Sequence, residues 1–249
     1  MSRRPRESFL RAPFLKSVAL IDDRVPDACA YPFSIPVIAA EPFRIDFTTA
    51  VTILVGTNGS GKSTILEAIA HLCGFGRLGG NQNYASDGQD AEPLGKCLRA
   101  SWLPKVGRGF YTRAETFSGF VGQVDGFGAQ EAYGGRSLSE RSHGEAYLEI
   151  FRNRVQGKGI FLFDEPEAAL SPTRQIDFLK IVKQAETGGE AQFIMATHSP
   201  LLMAYPGATV LHLTDHGILE RPFQQTEHFR VLREFYLDPM SFMDAIFTE

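Results

Sequence analysis

No stretch of this 249-residue chain approaches the roughly 20 consecutive apolar residues of a membrane span, so a transmembrane helix is not expected. Cysteine is scarce. Cys29, Cys73 and Cys97 show neither a CxxC pair nor metal-ligand spacing, which excludes a disulfide framework and a zinc site and points to a reduced, cytoplasmic setting. No internal repeat is evident, so a solenoid is excluded. Positive charge is not in surplus either: 25 Lys and Arg against 29 Asp and Glu give a net charge of −4 and a pI near 5.9. That balance does not favour a large nucleic-acid footprint. Its local exception is the start, MSRRPRESFLRAPFL, where Arg3, Arg4, Arg6 and Arg11 surround a single Glu7. The stretch lacks the long apolar core of a secretory signal and reads as a flexible basic arm over residues 1–15, the local candidate for touching nucleic acid.

What remains is ordinary globular composition, 43% hydrophobic and 22% charged, enough for one α/β domain with a sizeable core. Its most informative segment is GTNGSGKST, residues 56–64, which completes the phosphate-binding pattern G-x-x-x-x-G-K-[ST]. Thr48 to Gly56 is β-branched and apolar and reads as a buried strand. Ser63 to Cys73 places Ile65, Leu66, Ile69 and Cys73 at helical spacing, with Gly74 as its stop. Glycines let successive N–H groups turn inward around a phosphate, and the helix adds its positive N-terminal end. Asn58, Gly59, Ser60, Gly61, Lys62, Ser63 and Thr64 are therefore the candidate nucleotide-binding residues. Lys62 supplies a mobile charge for the β- and γ-phosphates, and the Ser63 hydroxyl is placed for Mg²⁺.

Three further segments bear on the chemistry. FLFDEPEAAL (Phe161 to Leu170) is an apolar strand ending in two adjacent carboxylates. Asp164 suits Mg²⁺, and Glu165, projecting differently, suits polarising an attacking water. FIMATHSP (Phe193 to Pro200) reads as a second apolar strand ending in His198, within reach of a γ-phosphate. SHGEAYLEIF (Ser142 to Phe151) opens an amphipathic helix, with Ala146, Ile150 and Phe151 on one face and Glu145 in the first turn.

The order and spacing of these segments resemble the ABC-type ATPases, a P-loop NTPase family, and above all its soluble branch of chromosome-maintenance and recombination-repair ATPases and short AAA-type relatives. GTNGSGKST resembles their Walker A motif, IFLFDEPEAAL their Walker B with its catalytic glutamate, and ATHSP their switch-histidine loop. RSHGE (Arg141 to Glu145) occupies the position of the LSGGQ signature. The resemblance implies an α/β fold with a mainly parallel central sheet and an N-terminal antiparallel β-subdomain, binding ATP and Mg²⁺. It also implies head-to-tail dimerisation on ATP binding, in which Ser142 and Gly144 of one copy contact the nucleotide of the other. Lys62, Glu165 and His198 are then catalytic, and Ser63 and Asp164 hold the metal. The sequence departs from the pattern at Arg141, His143 and Glu145, and Ser171 stands where relatives often carry aspartate. In place of the family's Mg²⁺-sensing glutamine, the strand-like GFYTRAETF (Gly109 to Phe117) offers Glu115, and Gln123 is the other candidate. A slow ATP-dependent switch acting on a partner protein uses the same residues. A membrane-transporter subunit fits the unusual signature less well, and a small-molecule kinase leaves DEP and THSP without a role.

The flanks complete the expectation of a single domain over residues 1–249. Tyr31 to Phe47 is strand-like and proline-rich, hence an edge subdomain, with Phe43 or Phe47 as adenine-stacking candidates or core. Residues 74–95 and 118–140 read as mobile Gly-rich insertions, without the heptads of a coiled-coil arm. ATVLHLTDHGILE reads as a hairpin, where His212 and His216 do not suit a metal. Residues 226–249 form a short helical C-terminal tail, with Phe229, Leu232, Phe235 and Tyr236 on a face expected to pack on the core and Pro239 dividing two helices.

Overall fold

The computed structural model describes residues 10–76, 93–113, 117 and 142–248. Its centre is a six-stranded sheet in the order β5 (Gly109–Arg113), β6 (Gly159–Asp164), β7 (Ala191–Ala196), β3 (Val51–Val55), β8 (Thr209–Thr214), β9 (Gly217–Glu220). The first five strands run parallel, and β9 returns antiparallel through the expected hairpin. Every residue of β3, β6 and β7 is buried, as strands covered on both faces must be.

Alternation along each strand sorts side chains between two cores. On one face Leu54, Leu162, Ile194 and Leu211 meet Ile65, Leu66, Ile69 and Cys73 of α2 (Lys62–Cys73). On the other, Ile53, Phe161, Phe163 and Phe193 meet α4 (His143–Arg154) and α5 (Pro172–Thr187). Phe151 stacks on Phe178 at 4.6 Å and meets the edge of Phe163 at 4.8 Å, so three rings lock both helices to β6. Burying each such ring contributes about 2 kcal/mol. Ala146 and Ile150 are buried beside Phe151, as the helical spacing requires.

The antiparallel layer is present but composed differently from the sequence expectation. It has the order β2 (Arg44–Asp46), β1 (Leu15–Leu20), β4 (Leu98–Trp102). Tyr31 to Phe47 contributes only β2, because Pro36 opens a short helix, α1 (Pro36–Ala39), in the middle of the stretch. The proposed arm is anchored at its far end: Phe14 and Leu15 are fully buried, and both backbone N–H groups donate to the buried Gln192 Oε1 at 2.7 and 2.9 Å. Residues 1–9 lie outside the described residues, as do 77–92, 118–141, Glu115 and Gln123. Within the first expected insertion, Pro93–Cys97 forms helix α3 rather than loop. The strand expected over Gly109 to Phe117 is β5, ending at Arg113.

Gly74 caps α2 in the left-handed region, φ 78°, as its place predicted. Cys73 is buried and its thiol pushed up to about 12 by that burial, and none of the three cysteines forms a disulfide among the described residues. The tail forms α7 (Glu227–Leu237) and α8 (Pro239–Thr248) after the short α6 (Pro200–Met203). Its apolar face does not join the core. Phe229 packs on Phe223 and Phe235 on Phe242, while Tyr236, Leu237, Met240 and Phe247 stay more than 70% exposed. The central sheet is already faced on both sides, so most of this face finds no core to join.

Candidate functional site

The C-terminal ends of β3, β7 and β6 lie side by side, and each delivers one expected segment. From β3 the chain enters the glycine loop with Gly59 at φ 79° and Gly61 at φ 92°, conformations that L side chains resist. Gly61 directly precedes α2, so the loop's N–H groups and the helix N-terminus face one point. Lys62 is buried, and its ammonium donates to the carbonyls of Gly56 and Thr57, both at 3.0 Å. Burial holds its pKa below the usual lysine value, against the pull of Glu165 and Asp164.

Ser63 Oγ donates to Asp164 Oδ1 at 3.0 Å, joining the helix start to the acidic strand. Arg113 at the end of β5 reaches Asp164 Oδ2 at 3.4 Å and pairs with Glu67 of α2. Asp164 is only 3% exposed, and burial raises its pKa to about 6, against the Ser63 hydrogen bond and the Arg113 charge. Glu165 lies just past the strand at φ 50° and ψ 52°, the one non-glycine residue with positive φ among those described. Its N–H donates to Ala196 O at 2.9 Å, which holds that turn against β7. The conformation costs roughly 1–2 kcal/mol and aims the carboxylate away from Asp164 into the cleft.

β7 ends at Ala196, so His198 stands two residues beyond the strand rather than on it. Its backbone N–H donates to Glu167 Oε1 at 2.5 Å, and its Nε2 lies 4.0 Å from Glu165 Oε1. Glu167 is a buried carboxylate whose pKa burial raises. Ser199 Oγ caps α6 and bonds Gln175 of α5. The histidine loop is thus pinned by two side chains that the sequence reading had not singled out. Glu167 sits in the DEP segment already noted, whereas Gln175 lies on α5, a helix the sequence reading did not describe.

Tyr31, Ile35, Asn58, Gly59, Gly61, Lys62, Ser63, Thr64, Glu165 and His198 line one open cleft of about 800 Å³. Tyr31 is the missed member: it is 73% exposed and its hydroxyl lies 3.1 Å from Thr64 Oγ1. Phe43 and Phe47, the aromatics expected as stacking candidates, are instead core residues at 5% and 3% exposure. They alternate inward from the antiparallel layer, whereas Tyr31 sits in a turn free to face the loop. Ser142 and Gly144 do not line the cleft. Ser142 is the N-cap of α4 in a capping box with Glu145, and Glu145 pairs with Arg174 at 2.7 Å. Ser171 caps α5. His212 and His216 form no metal group, nor does any other set of His, Cys, Asp and Glu among the described residues.

Two segments of the chain match a known family. Residues 51–97 and 146–204 match the family described as "AAA domain, putative AbiEii toxin, Type IV TA system". The fold is α/β, with a mostly parallel central sheet and a separate three-stranded antiparallel layer. Solved structures similar to this chain include the SMC head domain from Thermotoga maritima, at 15% identity, covering 84% of this chain and 98% of that one, with a TM-score of 0.46. Another is cbiO1 from Clostridium perfringens, part of the ABC transporter complex cbiONQ, at 15% identity, 82% and 91% coverage and a TM-score of 0.47. No curated protein matches the chain. No helix among the described residues is long and apolar enough to cross a membrane.

Proposed function

We propose that the chain binds and hydrolyses ATP with Mg²⁺, and that a second copy completes the site. The observation carrying this reading is the convergence of Lys62, the Ser63–Asp164 pair, Glu165 and His198 on one cleft at the ends of three neighbouring strands. The residues fit the nucleotide and the metal. Gly59 and Gly61 form the left-handed loop that lets amide groups surround a phosphate. Ser63 and a buried, hard-oxygen Asp164 are donors suited to magnesium. Ser63 and Asp164 would hold the magnesium ion, which would supply charge neutralisation for the phosphates.

Every other task falls to side chains. Lys62 exchanges its two backbone carbonyls for phosphate oxygens. Tyr31 offers an exposed ring beside Thr64 for stacking of the base. Glu165 orients the attacking water and takes its proton. His198 donates from Nε2 toward the γ-phosphate. Ser142 and Gly144, at the start of α4 and outside their own chain's cleft, are free to contact the nucleotide of a partner copy. A head-to-tail homodimer that closes on ATP uses both copies identically.

The test is solution mass by light scattering, with ATP turnover, for wild type and Glu165→Gln in Mg-ATP and Mg-ADP. The variant is expected to form a dimer with Mg-ATP only and to lose turnover at least about 100-fold. Monomer throughout with ATP bound would overturn the composite site. Equal turnover in both proteins would overturn the role of Glu165.

A further inference from the structure

His198 is held from a second direction, by the tail. His228, on the first turn of α7, places Nε2 3.2 Å from His198 Nδ1, with ring centroids 5.4 Å apart. That turn is itself anchored. Thr226 is buried, donates from Oγ1 to Phe223 O at 2.7 Å and accepts from Phe229 N at 3.2 Å. The other ring nitrogen of His198, Nε2, is shielded from solvent and has no hydrogen-bond partner among the described residues. It faces Glu165 Oε1 across 4.0 Å.

A neutral imidazole carries one N–H and one lone pair, so a contact at one nitrogen decides what the other presents. A proton on His198 Nδ1 would leave a lone pair at Nε2, turned toward the Glu165 carboxylate. That arrangement is repulsive, and worse beside phosphate oxygens. A proton on Nε2 requires Nδ1 to accept, and the group facing Nδ1 is His228. Burial foremost holds both rings below the usual histidine pKa, so both are neutral at physiological pH.

We propose that His228 is a positioning residue: its Nε2–H donates to His198 Nδ1 and thereby fixes His198 in the tautomer that presents Nε2–H to the cleft. The inference rests on the ATPase reading for its consequence, but the tautomer is defined without nucleotide. The C-terminal tail thus carries part of the site's geometry, although it touches none of the cleft-lining loop residues through any hydrogen bond other than this one among those described.

The experiment is long-range ¹H–¹⁵N spectroscopy of the six histidines in the nucleotide-free full chain, with His198 assigned from His198→Gln. It is combined with steady-state ATP turnover of His228→Ala and His228→Gln. Wild type and His228→Gln, which keeps an N–H donor, are expected to show His198 protonated on Nε2; His228→Ala is expected to show mixed tautomers. Turnover should fall about ten-fold in kcat for the alanine variant with KM unchanged, and recover in the glutamine variant. An unchanged His198 tautomer in His228→Ala, or glutamine and alanine variants that behave alike, overturns the proposal. Absence of turnover in wild type overturns the ATPase reading instead, and the tautomer comparison still decides whether His228 orients His198.

Discussion

Replacing Asp164 by asparagine should stabilise the nucleotide-free protein increasingly as pH rises, although it removes a residue assigned to the metal. The carboxyl is 3% exposed, and its pKa is raised from 3.8 to about 6, with burial the largest cause. A raised carboxyl pKa means that the native state binds more protons than the unfolded chain between those two values. Wild-type stability therefore falls as pH rises through this window and is lowest above it. Two pKa units correspond to about 3 kcal/mol, of which roughly half is lost between pH 5 and pH 8. Asparagine does not titrate, and Ser63 Oγ can still donate to its carbonyl. The loss of the Arg113 contact at 3.4 Å adds an offset, since Arg113 keeps Glu67. The pH-dependent part of the difference is thus separable from that offset. Urea unfolding of both proteins at several pH values, in EDTA, measures it. The stability difference should move toward the variant by about 1.5 kcal/mol from pH 5 to pH 8. A difference that stays constant, or moves toward wild type, would refute the reasoning.

Four further substitutions test the base platform and the sheet. Tyr31→Ala should weaken ATP binding about ten-fold by calorimetry, and Tyr31→Phe should stay near wild type, since stacking rather than the Thr64 contact is the larger contribution. Gly109→Ala should lower stability by about 3 kcal/mol or more in urea unfolding, because a Cβ there would sit 1.9 Å from Ile160 O and 2.5 Å from Phe75 Cζ. Gly207→Ala is the control: its φ of 82° strains alanine, but nothing lies within 4 Å, so a loss near 1 kcal/mol is expected.

Much of this protein was legible before folding was considered. The phosphate loop, the acid pair and the helix opening at Ser142 are contiguous, and local chemistry dictates them: glycines that adopt positive φ, β-branched runs that fill strands, and a serine three residues before a glutamate. The two-sided burial of β3, β6 and β7 follows equally from their unbroken apolar runs. Proline at position 36 misled the reading of the antiparallel layer, because a residue that suits an edge strand also suits the first turn of a helix. β1 and β4, short and half polar, carry weak patterns, and their strand character rests on pairing within the antiparallel layer, β1 with both β2 and β4.

What tertiary structure decided is which distant residues meet. Strand order set β7 between β3 and β6 and so brought His198 between the loop and the acids. It selected Tyr31 over Phe43 and Phe47, buried Glu167 beneath the histidine loop, and laid His228 against His198 from the other end of the chain. A side chain's neighbours within a turn of helix or a strand are fixed by periodicity. Its neighbours across the sheet depend on topology and on which faces are already covered, and the α7–α8 face remained exposed for the same reason.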